Sequence, residues 1–107
     1  MTINHEITAI TDAIKSALPV ERIYLFGSYA KGTSSDSSDY DFFILIPDGG
    51  IKPLDAMREA RYSLIPLNRK TSIDILADYI SRFEQRSELN TLERKVVNEG
   101  VVLYERA

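Results

Sequence analysis

Two pairs of polar residues stand at the ends of apolar runs, and their types and spacing suit the binding of a metal and a phosphate. Gly27 and Ser28 follow one apolar run, and Asp39 and Asp41 open the next. Residues at alternate positions of a strand point to the same face. Two carboxylates on one face lie within reach of a single divalent ion, which removes the repulsion that would otherwise favour protonation of one of them.

Gly27 and Ser28 supply the complementary half of such a site. A glycine at the end of a strand lets the backbone turn sharply and approach a ligand closely. A helix that starts at Ser28 would direct free N–H groups at the turn, where they favour an anion and the hydroxyl adds a donor. Lys31 can also reach a phosphate, although a solvated lysine is the simpler interpretation. Phosphoryl and nucleotidyl transfer use metal-bridged phosphates held in this way.

A third acid, Asp74, lies in another apolar run, 72–76, that is predicted to be a strand. If this strand pairs in the same sheet, Asp74 can join the cluster of Asp39 and Asp41. The alternative is an ordinary surface acid or cap near the end of a strand.

The composition limits the kind of metal and the kind of motif. The chain has no cysteine and one histidine, His5, so oxygen ligands are expected, which favour magnesium, manganese or calcium. A Ser-His-Asp triad is improbable for the same reason. The polar stretch 27–41 lacks the Gly-Lys-Ser/Thr of a phosphate loop and the closing Gly and Glu of an EF-hand. A merely solvated loop remains the competing interpretation.

The elements that must position these residues are predicted from periodicity. The predicted strands are 22–26, 40–46, 72–76 and an edge strand at 101–104. The predicted helices are one after Thr2 or Asn4 that ends near Pro19, a short one at 28–32, one at 53–65, and one at 81–98 with a break near Ser87. In the later helices we expect Leu54, Met57, Arg61, Leu64 and Ile65 to share one side, and Leu89, Leu92 and Val96 to point inward. This order predicts one α/β sandwich spanning 1–107.

Charge and hydropathy exclude several classes of protein. The 107 residues are 44% apolar and 27% charged, which is typical of a globular domain. The net charge of -3 leaves no basic field for non-specific nucleic-acid binding. No basic leader and no apolar run of about 20 residues is present, so we expect a cytoplasmic protein without a membrane span.

Together these motifs resemble a known signature. Gly27-Ser28, ten intervening residues and then Asp39-Tyr40-Asp41 resemble the signature of the nucleotidyltransferase superfamily related to DNA polymerase beta. Within it, the chain is similar to the minimal nucleotidyltransferases, small proteins often encoded as antitoxins beside a HEPN-domain partner. Further positions fit the same family, namely Gly32, Ser38, the later-strand acid Asp74 and the ending 98–105.

The resemblance implies a fold and an activity. The fold would be the α/β (α+β) nucleotidyltransferase fold, a small mixed sheet of three to four strands flanked by helices. The activity would be Mg²⁺- or Mn²⁺-dependent transfer of a nucleoside monophosphate, AMP from ATP, to a hydroxyl such as a tyrosine of a HEPN toxin. The three acids Asp39, Asp41 and Asp74 would be the metal ligands and catalytic residues. The nucleotide would be bound by Gly27, Ser28 and Lys31.

Two other functions stay open at this point. The 107 residues leave no room for the acceptor-binding domain of larger relatives, so we expect another chain to supply the acceptor or a missing wall. By resemblance that chain is a HEPN-domain protein whose RNase activity AMP would silence. The alternatives are an antitoxin that acts by binding alone, and a small-molecule nucleotidyltransferase that acts as a dimer, a homo-oligomer of this chain.

Overall fold

The computed structural model describes residues 3–35 and 37–107, and this part of the chain forms a mixed sheet between two layers of helices. In chain order the elements are α1 His5–Ala17, β1 Arg22–Phe26, α2 Ser28–Lys31, β2 Tyr40–Ile46, α3 Pro53–Ser63, a 3₁₀ turn Ile65–Leu67, β3 Ile73–Tyr79, α4 Ile80–Ser87, α5 Leu92–Glu99 and β4 Val101–Glu105. The predicted fold class is confirmed. None of the helices described is both long and apolar enough to cross a membrane.

The sheet has the strand order β3-β2-β1-β4. Strand β1 runs antiparallel to both β2 and β4, whereas β2 and β3 are parallel. Parallel neighbours need a crossover connection, which α3 supplies here. The two central strands therefore carry Gly27 and the aspartate pair at one end, and β3 brings Asp74 to its neighbour in the same direction.

Strand β2 alternates between the two layers as its sequence predicts. Tyr40, Phe42 and the isoleucines that follow pack in the core with α1 and α3, while Phe43 and Leu45 pack on the other face with Phe83 and Val96. The sequence of a strand that is buried on both faces is a nearly continuous run of apolar residues. The side chain of Asp41 therefore belongs to the face that α4 and α5 partly cover.

Helix α1 begins as predicted at Asn4, whose side chain accepts a hydrogen bond of 2.8 Å from the N–H of Ile7. Such a cap satisfies one of the free amides of the first turn. The stripe of Ile7, Ile10 and Ile14 is fully buried, and His5 is an exposed surface residue. The other predicted cap, Thr2, lies outside the described residues.

The predicted inward side of α3 is confirmed at Leu64 and wrong at Leu54 and Ile65. Leu54 is 72% exposed and Ile65 is 71% exposed, while Ala56, Ala60 and Leu64 are buried. These three recur every four residues and form the true buried stripe. Alanine lets the helix axis approach the sheet closely, so the larger apolar residues at its flanks are left in solvent.

The C-terminal helical segment is interrupted after Ser87 as predicted, but two of its apolar residues do not point inward. Residues 88–91 separate α4 from α5, and the side chain of Thr91 caps α5. Val96 is buried as predicted, but Leu89 and Leu92 are 59% and 44% exposed. The layer is filled instead by Phe83 of α4, whose ring lies 5.7 Å from that of Tyr24 and 5.0 Å from that of Phe43.

Glu6 of α1 accepts hydrogen bonds from the first residue of β2 and from the loop that precedes β3. The Tyr40 hydroxyl donates to Glu6 Oε1 at 2.7 Å, and the Lys70 N–H donates to Glu6 Oε2 at 3.0 Å. Burial raises the pKa of Glu6, but the hydrogen bonds from Tyr40 and from Lys70 outweigh burial and hold the pKa below the usual 4.5. The ionised form of Glu6 is therefore favoured by folding.

We expect Glu6→Gln to lower the free energy of unfolding at pH 7 by about 0.5–1 kcal/mol, since hydrogen bonds to a charged acceptor are lost from a partly solvated site. Because the folded-state pKa is lowered, this contribution is present above the unfolded-state value and disappears as the pH falls through the folded-state value. Urea unfolding at pH 7 and pH 3 measures the difference. Glu59→Gln on the exposed face of α3 is the control. An equal difference at both pH values would contradict the role of the charge.

Candidate active site

The register of the sheet places two of the predicted acids side by side. Asp41, the second residue of β2, is the direct neighbour of Asp74, the second residue of β3. Asp39 lies two residues before Asp41, just ahead of the strand. Asp39 and Asp74 are exposed, and Asp41 is half-buried. All three predicted acids are thus brought to the same end of the sheet.

The three acids influence one another electrostatically. Burial raises the pKa of Asp41, and the negative charges of Asp74 and Asp39 raise this pKa further. Hard carboxylate oxygens are the donors that magnesium and manganese prefer, and a cation would offset the repulsion. Within 3–35 and 37–107, no group of three or more His, Cys, Asp or Glu residues is arranged to hold an ion by itself. A shared ion would complete its coordination with water and substrate oxygens, as magnesium commonly does.

Gly27 fits against the carboxylate of Asp41. Phe26 is the register partner of Asp41, so the chain leaves β1 directly beside this side chain. A Cβ atom on Gly27 would overlap Asp41 Oδ2 and lie 3.1 Å from Asp41 Cγ. The backbone at Gly27 has φ 75° and ψ -156°, a combination that is almost restricted to glycine. Both the conformation and the space therefore require glycine where the strand meets the acid.

We expect Gly27→Ala to lower the free energy of unfolding by about 3 kcal/mol or more, because backbone strain and overlap with Asp41 add together. Gly32→Ala is the matched control. Gly32 also has a positive φ of 77°, but its ψ of 18° is left-handed helical and no atom lies within 4 Å of the added Cβ. The control should cost about 1 kcal/mol. Equal losses in urea unfolding would show that Asp41 does not limit the space at Gly27.

The residues after Gly27 form the predicted short helix, which ends at Lys31 rather than at residue 32. Ser28 is the first residue of this helix. The Lys31 ammonium lies 3.4 Å from the carboxylate of Glu99 on α5. Ser28 and Lys31 therefore face α5, on the same side of the sheet as Asp41.

A cavity of about 290 Å³ adjoins this turn and was not foreseen from the sequence. One wall consists of predicted binding residues and their neighbours, and the other is a single face of α5. The lining residues are Phe26, Gly27, Ser28, Lys31, Thr33, Leu92, Lys95, Val96 and Glu99. The α5 members recur at spacings of three and four, which is the signal of one helical face. The spacing predicts this face of the helix, but the sequence does not show which residues lie opposite it.

Comparison with known proteins identifies the family to which this architecture belongs. A family model described as "Polymerase beta, Nucleotidyltransferase" matches residues 8–107. The chain is a member of this nucleotidyltransferase family. The resemblance that rests on Gly27, Ser28, Asp39 and Asp41 is thereby confirmed at the level of the family, and the mixed sheet with its flanking helices is the nucleotidyltransferase fold.

Solved structures share the nucleotidyltransferase fold. A crystal structure described as a toxin-antitoxin with AMP-PNP is 26% identical over 92% of this chain and 72% of that chain, with a TM-score of 0.65. A mutant of the toxin-antitoxin MntA-HpeT is 24% identical over 97% of this chain and 75% of that one, with a TM-score of 0.65. A Sulfolobus solfataricus protein is 19% identical over 92% and 77%, with a TM-score of 0.58. No curated protein matches the chain.

Proposed function

We propose that this nucleotidyltransferase is the antitoxin of a toxin–antitoxin pair and transfers AMP from ATP to a tyrosine hydroxyl of a HEPN-domain toxin. The observation that carries the proposal is the register pairing of Asp41 with Asp74 beside Gly27. This pairing brings together two carboxylates, which suit a metal, and a glycine turn, which suits phosphates. The family supports nucleotidyl transfer, and the similar toxin-antitoxin structure with AMP-PNP supports the nucleotide and the kind of partner.

The residues present fit a divalent ion. Asp39, Asp41 and Asp74 offer carboxylate oxygens only, and the repulsion at Asp41 is of the kind that a cation relieves. We assign Asp39 and Asp41 to ions that also contact the triphosphate, and Asp74 to the ion nearest the acceptor. When bound, Mg²⁺ or Mn²⁺ would act as a Lewis acid on the α-phosphate and lower the pKa of the acceptor hydroxyl.

The turn at Gly27 holds the phosphates in this proposal. The absence of a side chain on Gly27 leaves its backbone accessible next to Asp41, and the Ser28 hydroxyl donates a hydrogen bond to a phosphate oxygen. Lys31 adds a positive charge on the cavity side. These groups orient the α-phosphate towards Asp74 and the pyrophosphate away from it.

Asp74 then acts as the general base. The acceptor oxygen attacks the α-phosphorus in line, the bond from this phosphorus to the bridging oxygen of pyrophosphate breaks, and pyrophosphate leaves with the electron pair. The proton of the acceptor hydroxyl passes to the Asp74 carboxylate. The exposure of Asp74 and Asp39 leaves this side of the site open to a large acceptor such as a folded protein.

The test uses the chain together with the protein encoded beside its gene, which the proposal expects to be a HEPN-domain protein. The two proteins are incubated with ATP labelled in its α-phosphate and Mg²⁺, and intact mass reports whether one or more AMP groups join the partner. We expect label on a tyrosine of the partner, and none with the Asp41→Asn chain. Tight binding of the partner without any label would favour an antitoxin that acts by binding. Label on small hydroxyl compounds in the absence of a partner would favour a small-molecule nucleotidyltransferase.

A further inference from the structure

One apolar residue of β3 is left uncovered on the face of the sheet that carries the acids. Asp74 and Leu76 are two residues apart in this strand, so their side chains lie on the same face and their Cα atoms are about 6.6 Å apart. The register pairs Asp74 with Asp41 and Leu76 with Phe43. Leu76 is 37% exposed, whereas Phe43 is buried. The apolar surface of Leu76 therefore continues the candidate active site along the edge of the sheet.

The position of α4 explains why Leu76 is exposed. Phe83 of α4 packs its ring 5.0 Å from that of Phe43 and 5.7 Å from that of Tyr24, so the helix covers β2 and β1. Strand β3 lies at the edge of the sheet, beyond β2, and receives less of this cover. Among the large apolar residues of the strands that the structure describes, only Leu76 and Val102 are exposed, and each belongs to an edge strand.

The exposed strip of β3 has a polar group at each end. Asp74 begins it, and Asp78 is the next residue after Leu76 on the same face. The side chain of Asp78 is only 13% exposed and forms an ion pair of 3.6 Å with Arg82 of α4. The strip thus presents a carboxylate, then one aliphatic side chain, then a polar end. The same order of polar and apolar parts is found in a tyrosine from its hydroxyl through its ring to its backbone.

We propose that Leu76 binds the aromatic ring of the acceptor tyrosine and thereby selects a phenol over an aliphatic hydroxyl. The inference rests on the proposed function, which places the acceptor oxygen at Asp74 and the pyrophosphate away from it. Because the attacking and leaving oxygens lie in line on opposite sides of the phosphorus, the body of the acceptor lies on the β3 side. A phenol whose hydroxyl reaches Asp74 extends over Leu76, since the spacing of the two residues is close to the length of a tyrosine side chain. A serine hydroxyl at Asp74 carries no ring to cover Leu76.

A double-mutant cycle between the two proteins tests this contact. The partner protein of the proposed function is prepared with its labelled tyrosine changed to phenylalanine or to alanine. Neither form has the acceptor hydroxyl, so both can be titrated calorimetrically with α,β-methylene-ATP and Mg²⁺ present. Leu76→Thr removes apolar surface but keeps a residue that favours strands. We expect Leu76→Thr to weaken binding of the phenylalanine form about fivefold and to leave binding of the alanine form unchanged, because only the former presents a ring.

Two further variants are the controls. Val102→Thr changes an exposed apolar residue of the other edge strand and should bind both partner forms as the wild-type chain does. Leu76→Met keeps an apolar side chain of similar volume and should bind the phenylalanine form within about twofold of the wild-type affinity. Equal weakening of both partner forms by Leu76→Thr would show that another part of the partner covers Leu76, and would overturn the inference. Unchanged binding of the phenylalanine form would overturn it as well.

Failure of the proposed function gives a different result. If the wild-type chain transfers no label to a tyrosine of the partner, the proposed function is wrong and the inference falls with it. If the wild-type chain labels a tyrosine but Leu76→Thr binds the phenylalanine form normally, the proposed function stands and only the role of Leu76 is refuted.

Discussion

Asp74→Asn is expected to bind ATP with nearly wild-type affinity and to lose transfer of AMP. In the proposed function Asp39 and Asp41 would still hold the ion that contacts the phosphates, so we expect the ground-state complex to persist. The loss falls on the chemical step, because general-base catalysis contributes ~10²–10⁴-fold and a misplaced metal adds to that loss. Asn keeps the shape of the side chain but cannot accept the proton of the acceptor hydroxyl.

The measurement separates binding from chemistry. Calorimetry with ATP and Mg²⁺ gives the affinity, and single-turnover labelling of the partner protein gives the rate. Asp55→Asn is the control and should change neither quantity, because Asp55 is a partly exposed aspartate of α3 that pairs with Arg58. If Asp74→Asn weakens ATP binding as much as Asp41→Asn does, the three acids act as one cage. If it changes neither quantity, Asp74 is a surface acid and the site lacks its base.

Asp41→Asn has the second large effect, on binding itself. Asp41 is the central acid, with Asp74 beside it in the sheet and Asp39 two residues before it. Removal of its charge should weaken Mg²⁺-dependent ATP binding at least tenfold, which corresponds to about 1.4 kcal/mol. The fold should be retained. In EDTA the variant should unfold at a higher urea concentration than the wild-type protein, because burial and two like charges raise the pKa of Asp41 and make its ionised form unfavourable at pH 7.

Calorimetry with and without Mg²⁺, together with urea unfolding in EDTA, checks both halves of this prediction. Asp55→Asn again controls for the loss of one negative charge. Unchanged ATP affinity in Asp41→Asn would remove the metal interpretation of the aspartate pair. A lower urea midpoint would instead show that Asp41 makes a stabilising contact within the protein and that its charge is not a cost.

The strands and the acids were predictable because they depend on local patterns. The apolar run after Asp41 fixes β2, and its alternation of two residues fixes which side chains share a face. Glycine before Ser28 indicates a special backbone, which the φ of 75° at Gly27 confirms. What the sequence left open is the register of Asp41 with Asp74, since the pairing of two strands joined by a crossover depends on the packing of the whole sheet.

The helices were predicted less well because their orientation depends on their neighbours. A search for large apolar residues selects Leu54 and Ile65, whereas the sheet is contacted through the small Ala56 and Ala60. The polar cap at Thr91 restarts the helix, so inward positions cannot be extrapolated across the break at 88–91. The cavity beside Gly27 was missed for the same reason: spacing predicts a helical face, but it does not show which residues lie opposite that face.

Strand β2 places the candidate active site and the turn that follows the strand at opposite ends of the sheet. Asp41 lies at one end of the strand and the turn at Pro47–Gly50 lies at the other, so about six residues at roughly 3.3 Å each keep them some 20 Å apart. Gly49 and Gly50 are exposed, and no neighbouring atom crowds Gly49. A fluorophore or a surface tether fixed at this turn would therefore leave nucleotide and acceptor free to enter, which makes the turn the natural handle for immobilised or single-molecule measurements.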